Sequence, residues 1–198
     1  MLAKDKLSKK IKYFLFIIFY LYTSQAHSID IKSYILEYNA SLQNSIISFI
    51  QNDGRNIEEG VVYIGKDRLK IQYNKPSYIT IILSKKKGMY QNRNLREVEY
   101  FNTKKTYVKV FFELLTGESF FDNTDINIFE ANLSVNKNLI VNDSHYKIKI
   151  LYEKNPITIR KIEVLENNIT LEFGFFNHRK TDKFEKDFFS MINPYLDN

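Results

Sequence analysis

Three histidines, His27, His145 and His178, are the imidazoles of a 198-residue chain that contains no cysteine. Disulfide frameworks, thiolate metal sites and thiol nucleophiles are therefore excluded, and so is a lipid attached at an N-terminal cysteine. No His-x-x-x-His or His-Glu pairing occurs. His27 lies at a leader boundary, His145 beside a turn, and His178 beside Arg179 and Lys180, which fits solvated loop histidines better than metal ligands. Glu58 and Glu59 are adjacent, so a strand sends them to opposite faces and a turn solvates both. They make a poor acid/base pair. There is no Gly-x-Ser-x-Gly elbow and no glycine-rich phosphate loop. The residues point to a binding protein with no catalytic residue, no metal and no cofactor, rather than to an enzyme.

What the residue types can do is bury apolar matter, and the pattern says where. Arg68 to Tyr73 alternates cleanly, with Leu69, Ile71 and Tyr73 on one side and Arg68, Lys70 and Gln72 on the other: one dry face, one wet face. Ser45 to Gln51, Gly60 to Ile64, Tyr78 to Leu83, Met89 to Asn92 and Glu97 to Phe101 read as further short strands, as do Asn138 to Val141, Tyr146 to Tyr152, Ile157 to Leu165 and Ile169 to Phe175. Asn52-Asp53-Gly54, Asn142-Asp143, Asn155-Pro156 and Asn167-Asn168 supply turns between them.

Two segments depart from this period. Ile31, Ile35, Tyr38 and Leu42 recur at spacings of a helix, and so do Val108, Phe111, Phe112 and Leu115, with Gly117 as a C-cap. Phe184 to Leu196 fits helix and strand equally. About ten antiparallel strands in meander order accumulate twist and curl into a barrel or a curved sheet. Two apolar-faced helices laid across its concave side would enclose an apolar space. Partly empty, that space is a ligand site; filled, it is a core, and residue types alone favour the core.

The formal charge of +6 divides unevenly, because Lys4, Lys6, Lys9, Lys10 and Lys12 crowd the first 26 residues. The remaining basic groups are interspersed with acids apart from short runs such as Lys85 to Lys87, so no long cationic stripe for nucleic acid emerges. Residues 1 to 12 are basic, Tyr13 to Tyr22 are apolar or aromatic, and Thr23 to Ala26 are mostly small. That is the plan of a secretory signal peptide cut after Ala26 and, at ten apolar residues, too short for a membrane span. The mature chain, 27–198, reads as one domain. The 15% aromatic share carries little by itself, since Phe and Tyr, like Lys, Asn and Ile, have codons of A and U alone.

Several segments together resemble the LolA family of periplasmic lipoprotein carriers: the leader, the N-terminal helix, Ser48-Phe49-Ile50-Gln51 before a turn, Gly60, and Arg68-Leu69-Lys70-Ile71-Gln72-Tyr73-Asn74-Lys75-Pro76. Ile79 to Ser84 with Gly88 and Tyr90, the double leucine ending Phe111 to Leu115, Ile162-Glu163-Val164, Asn167, Asn168, Thr170, Phe173, Asn177 and Phe188 continue the likeness. The order of elements agrees over nearly the whole mature chain.

The resemblance implies a mainly β protein with α, an incompletely closed antiparallel half-barrel of ten or eleven strands covered by an N-terminal helix and a mid-chain helical lid. It implies a cavity for acyl chains lined by Phe49, Leu69, Ile71, Tyr73, Ile81, Leu83, Phe111, Phe112, Leu115, Ile148, Ile150, Leu171 and Phe173. Each of these is equally an ordinary core residue. The family carries Lys-Arg-Pro where this chain has Ile64-Gly65-Lys66-Asp67. Its arginine holds the lid, so Lys66 or Arg68 would have to serve as the latch; a lysine has no planar fork, and Arg68 stands on the register opposite Leu69. The implied partners are acylated lipoproteins, an inner-membrane ABC-type exporter and an outer-membrane acceptor, met by a periplasmic monomer with transient membrane contact and no nucleic acid. A periplasmic sensor or envelope protein using the same half-barrel for lipid or peptide is the alternative.

Overall fold

The alternating segments form eleven strands in a computed structural model that describes residues 30–116 and 120–196. The leader, its cleavage point, His27 and the Gly117 cap lie outside the described residues. Lys32–Asn198 make one compact unit.

After helix α1 (Ile31–Ser41) come β1 (Ser45–Asn52), β2 (Ile57–Ile64), β3 (Leu69–Lys75), β4 (Ile79–Leu83), β5 (Lys87–Asn92) and β6 (Glu97–Asn102). A 3-10 turn, Thr103–Lys105, leads to helix α2 (Lys109–Thr116). The second half holds β7 (Asp125–Ile128), β8 (Asn132–Val141), β9 (Ser144–Lys154), β10 (Ile157–Glu166) and β11 (Ile169–Lys180). All pair antiparallel in one sheet of order β6-β5-β4-β3-β2-β1-β11-β10-β9-β8-β7, so β1 beside β11 joins the halves while β6 and β7 remain unjoined edges. The sheet is open, and the expected unclosed antiparallel architecture with two helices is what forms.

The turns follow from residue type. Asn142 and Asp143 have φ of 47° and 66°, and Asn167 and Asn168 have 47° and 68°. Two successive positive φ values give the primed hairpin turn that matches strand twist, and Asn and Asp adopt it at least cost after glycine.

Both helices lie on the same face of the sheet. Tyr38 of α1 meets Tyr152 of β9 edge-on at 6.0 Å, and Phe111 of α2 meets Phe173 of β11 at 4.7 Å. Under α1, Tyr38 Oη shares a hydrogen bond of 3.4 Å with His178 Nδ1 and accepts from the Ile159 N–H at 3.1 Å. His178 is therefore half-buried in β11 rather than a solvated loop residue, because that strand runs five residues past Phe175.

The wet face of β3 is also less wet than its alternation suggests. Residues 181–196 form neither helix nor strand but a strap across the outer face of β2–β6. Phe184 and Phe188 stack at 4.9 Å and both meet Tyr63, Lys70 lies 4.2 Å over Phe188, and Tyr100 donates to Met191 O at 2.8 Å. Burial under this strap, with Arg93 nearby, pulls the Lys70 ammonium pKa down. The strap thereby partly covers the outer face of β2–β6.

Candidate functional site

Helix α2 spells Lys109-Val-Phe-Phe-Glu-Leu-Leu-Thr116, and Val110, Phe111, Phe112, Leu114 and Leu115 are all buried. Eight residues are too few for a helix to persist alone in water, so α2 exists because the sheet receives it. Its polar side holds a Lys109–Glu113 ion pair of 3.3 Å, and the Val110 N–H donates back to Tyr107 O at 2.9 Å. Packing, helicity and position are thus one coupled property.

Between α2 and the sheet lies a void of about 40 Å³. Its floor is Phe49, Val62, Ile71, Tyr73, Ile81, Phe173 and Phe175; its roof is Tyr107, Val108, Phe111 and Leu115. The floor residues belong to adjacent rungs, with Val62 opposite Ile71 and Ile71 opposite Ile81, while Phe175 faces Phe49. Phe49 also lies over Gly60, where a Cβ would come within 2.5 Å of its ring. Glycine there lets an aromatic ring line the floor. Half-exposed Ile81, Tyr107 and Val108 form the outer rim.

A space of about 40 Å³ holds a few waters' worth of probe volume and no acyl chain. The interior is mostly filled by α2 itself.

At the rim toward the β1–β2 turn the void is closed by a polar relay. Tyr73 Oη donates to Gln51 Oε1 at 2.6 Å, Gln51 Nε2 donates to Glu58 Oε2 at 3.2 Å, and Ser77 Oγ donates to Glu58 Oε1 at 2.5 Å. Burial, with Tyr107 and Glu58 close by, raises the Tyr73 phenol pKa, so the hydroxyl stays protonated and engaged. The surface left facing the void is apolar. It offers contact area and no directional anchor, which suits a hydrocarbon and no chemistry on a bond.

Of the residues singled out in the sequence, Phe49, Ile71, Tyr73, Ile81, Phe111, Leu115 and Phe173 stand at this void. Leu69 and Leu83 pair one rung away and are fully buried. Phe112, Ile148 and Ile150 are buried away from it, and Leu171 is half-buried. Val62, Tyr107, Val108 and Phe175 line it without having been singled out; the alternation of Phe173 with Phe175 was the available signal for the last. Lys66 and Arg68 are exposed in the β2–β3 turn, and neither side chain is hydrogen-bonded or ion-paired to α2. Glu58 faces inward to the relay and Glu59 outward to solvent. Among the described residues no three His, Asp or Glu side chains gather as metal ligands, and no helix is long and apolar enough to cross a membrane.

No family model and no curated protein sequence matches the chain. Solved structures do resemble its fold. An uncharacterized conserved protein from Thermus thermophilus aligns over 79% of this chain and 95% of its own, at 8% identity and a TM-score of 0.49. One is a LolA superfamily protein. It comes from Nitrosomonas europaea and aligns over 78% of this chain and 95% of its own, at 9% identity and a TM-score of 0.40. A domain described as outer membrane lipoprotein-sorting, from Vibrio parahaemolyticus, aligns over 79% and 94%, at 9% identity and 0.43. At such identities the likeness is one of fold.

Proposed function

We propose that this protein is a periplasmic carrier that takes up the acyl chains of lipoproteins in place of helix α2. The observation that carries the reading is the void beneath α2, apolar on its floor and roofed by a short helix that depends on the sheet for its shape. The magnitudes favour exchange. Burying five side chains of the α2 kind stabilises by about 2 kcal/mol each, roughly 10 kcal/mol together. A lipoprotein anchor with three acyl chains buries several dozen methylenes at about 0.8 kcal/mol each, which sums to tens of kcal/mol. In water the acyl chains win the sheet, and α2 moves aside.

Release requires adaptable contacts, and Leu, Ile and aromatic walls without a polar anchor provide them. The cargo would come from an ATP-driven exporter in the inner membrane and pass to an outer-membrane acceptor, the carrier having reached the periplasm by way of residues 1–26. The test is depletion followed by fractionation of the envelope, with recovery of the tagged carrier from the same cells. Lipoproteins stranded in the inner membrane and acylated lipoproteins on the carrier are the expected results. Normal sorting, with a stable protein partner and no acyl chains on the carrier, would instead make it a sensor.

A further inference from the structure

Three basic runs that are separate in the sequence meet at one end of the sheet. Ile64, Leu69, Leu83, Gly88 and Phe101 form a single rung across β2, β3, β4, β5 and β6. Five strands at about 4.8 Å make this rung about 19 Å wide. Every chain segment leaving it is cationic: Lys66 and Arg68 in the β2–β3 turn, Lys85 to Lys87 at the β4–β5 turn, and Lys104 and Lys105 after β6. The β2–β3 turn is closed on itself by Gly65 N–H donating to Arg68 O at 2.9 Å, and the segment after β6 is tied to the β4–β5 turn by Thr103 N–H donating to Lys86 O at 3.3 Å. Seven cations stand there beside one acid of the same turns, Asp67. The strap nearby carries three acids, Asp182, Glu185 and Asp187, against Lys183 and Lys186, so the seven cations still outnumber the four acids of the turns and the strap.

We propose that this basic end is a docking surface for an anionic lipid bilayer, which sets the rim of the void beside the membrane. The turns that carry the cations all leave one rung at the same end of β2–β6, so the charge gathers at one end of the sheet, with Lys87 turned back over the Tyr100 ring. The chain from Lys104 and Lys105 also runs directly to Tyr107 and Val108, so the surface borders the entrance to the apolar space. Single-stranded nucleic acid is disfavoured because the aromatic rings at this end are occupied. Phe101 lies on Gly88, and Tyr100 carries Lys87 over its face at 4.5 Å while donating to Met191 O. The inference goes beyond carriage, since it concerns where the protein stands and not what it holds.

Flotation with vesicles tests it, using the chain from residue 27 onward, which keeps the compact unit Lys32–Asn198 whole. Binding is expected to phosphatidylcholine vesicles containing phosphatidylglycerol, not to phosphatidylcholine alone, and to fall as salt rises. Lys85→Glu with Lys86→Glu, and separately Lys104→Glu with Lys105→Glu, should each weaken it at least about tenfold. Lys147→Glu with Lys149→Glu, the same charge change on exposed positions of β9, should leave it unchanged. Equal binding to both vesicle types, equal loss from the β9 pair, or preference for an oligonucleotide duplex would overturn the proposal. Uptake of a soluble acyl probe by the same variants reports separately on the void, so failure of docking and failure of carriage are distinguishable.

Discussion

Phe111 of α2 stands edge-on to Phe173 of β11, with ring centroids 4.7 Å apart and planes at 72°. That pairing ties the helix to the strand which also floors the void, and it occupies the volume an acyl chain would take. Phe111→Ala should therefore act in two directions at once. Stability should fall by about 3 kcal/mol, from lost burial and an enlarged cavity, while affinity for a soluble acyl probe should rise because less protein must be displaced. Urea unfolding and probe titration on one preparation check both.

Ile81 offers the complementary test, being half-exposed at the rim and so able to accept a charge without unfolding the core. Ile81→Glu should reduce probe binding by about tenfold or more, since a carboxylate at the mouth must be desolvated before a chain can pass. The melting temperature should move little. A stable variant with undiminished binding would place the entrance elsewhere.

The contact beneath α1 predicts how stability depends on pH. Burial, and the nearby Arg160, hold the His178 imidazole below its usual range. The unfolded chain takes up a proton as pH drops through about 6.5 while the folded chain does not. Stability should thus be full above that pH and decline below it, until the lowered folded value is passed. The urea midpoint of His178→Asn should lose this dependence. Tyr38→Phe should cost about 1 kcal/mol or more at every pH, by leaving the Ile159 N–H without its acceptor. The Tyr38 phenol is itself pushed up to about 12 by burial and stays neutral throughout.

The strap should prove structural. Phe188 packs between Tyr63, Phe184 and Phe189 under the Lys70 ammonium. Phe188→Ala should cost about 2 kcal/mol for a half-buried ring, without altering probe affinity, because the strap and the void lie on opposite faces of the sheet. Altered affinity would mean that the two faces are coupled.

Most strands were legible because Leu69-Ile71-Tyr73 and Tyr146-Ile148-Ile150 alternate, and because Asn-Asp and Asn-Asn turns punctuate them. β7 was not foreseen: four residues of an edge strand, Asp125 to Ile128, carry too little pattern. His178 was misplaced because β11 continues through polar Asn177 to Lys180 after its apolar signal ends. The strap has no period, since its rings are held by whatever the sheet presents. At the site, alternation identified which residues face inward but not which of them border space. Leu69 and Ile71 are alike in sequence, yet only Ile71 lines the void, because the position of α2 along the strands decides it. The basic end was invisible for the same reason, its three runs being brought together only by the pairing of five strands.

Hydrogen exchange at the amides of α2, with and without a saturating acylated amphiphile, tests most directly whether this helix yields its place. Residues 110–116 should lose protection when the amphiphile is bound, while β1 and β9 keep theirs. Bound amphiphile with α2 as protected as before would contradict the exchange of helix for acyl chain.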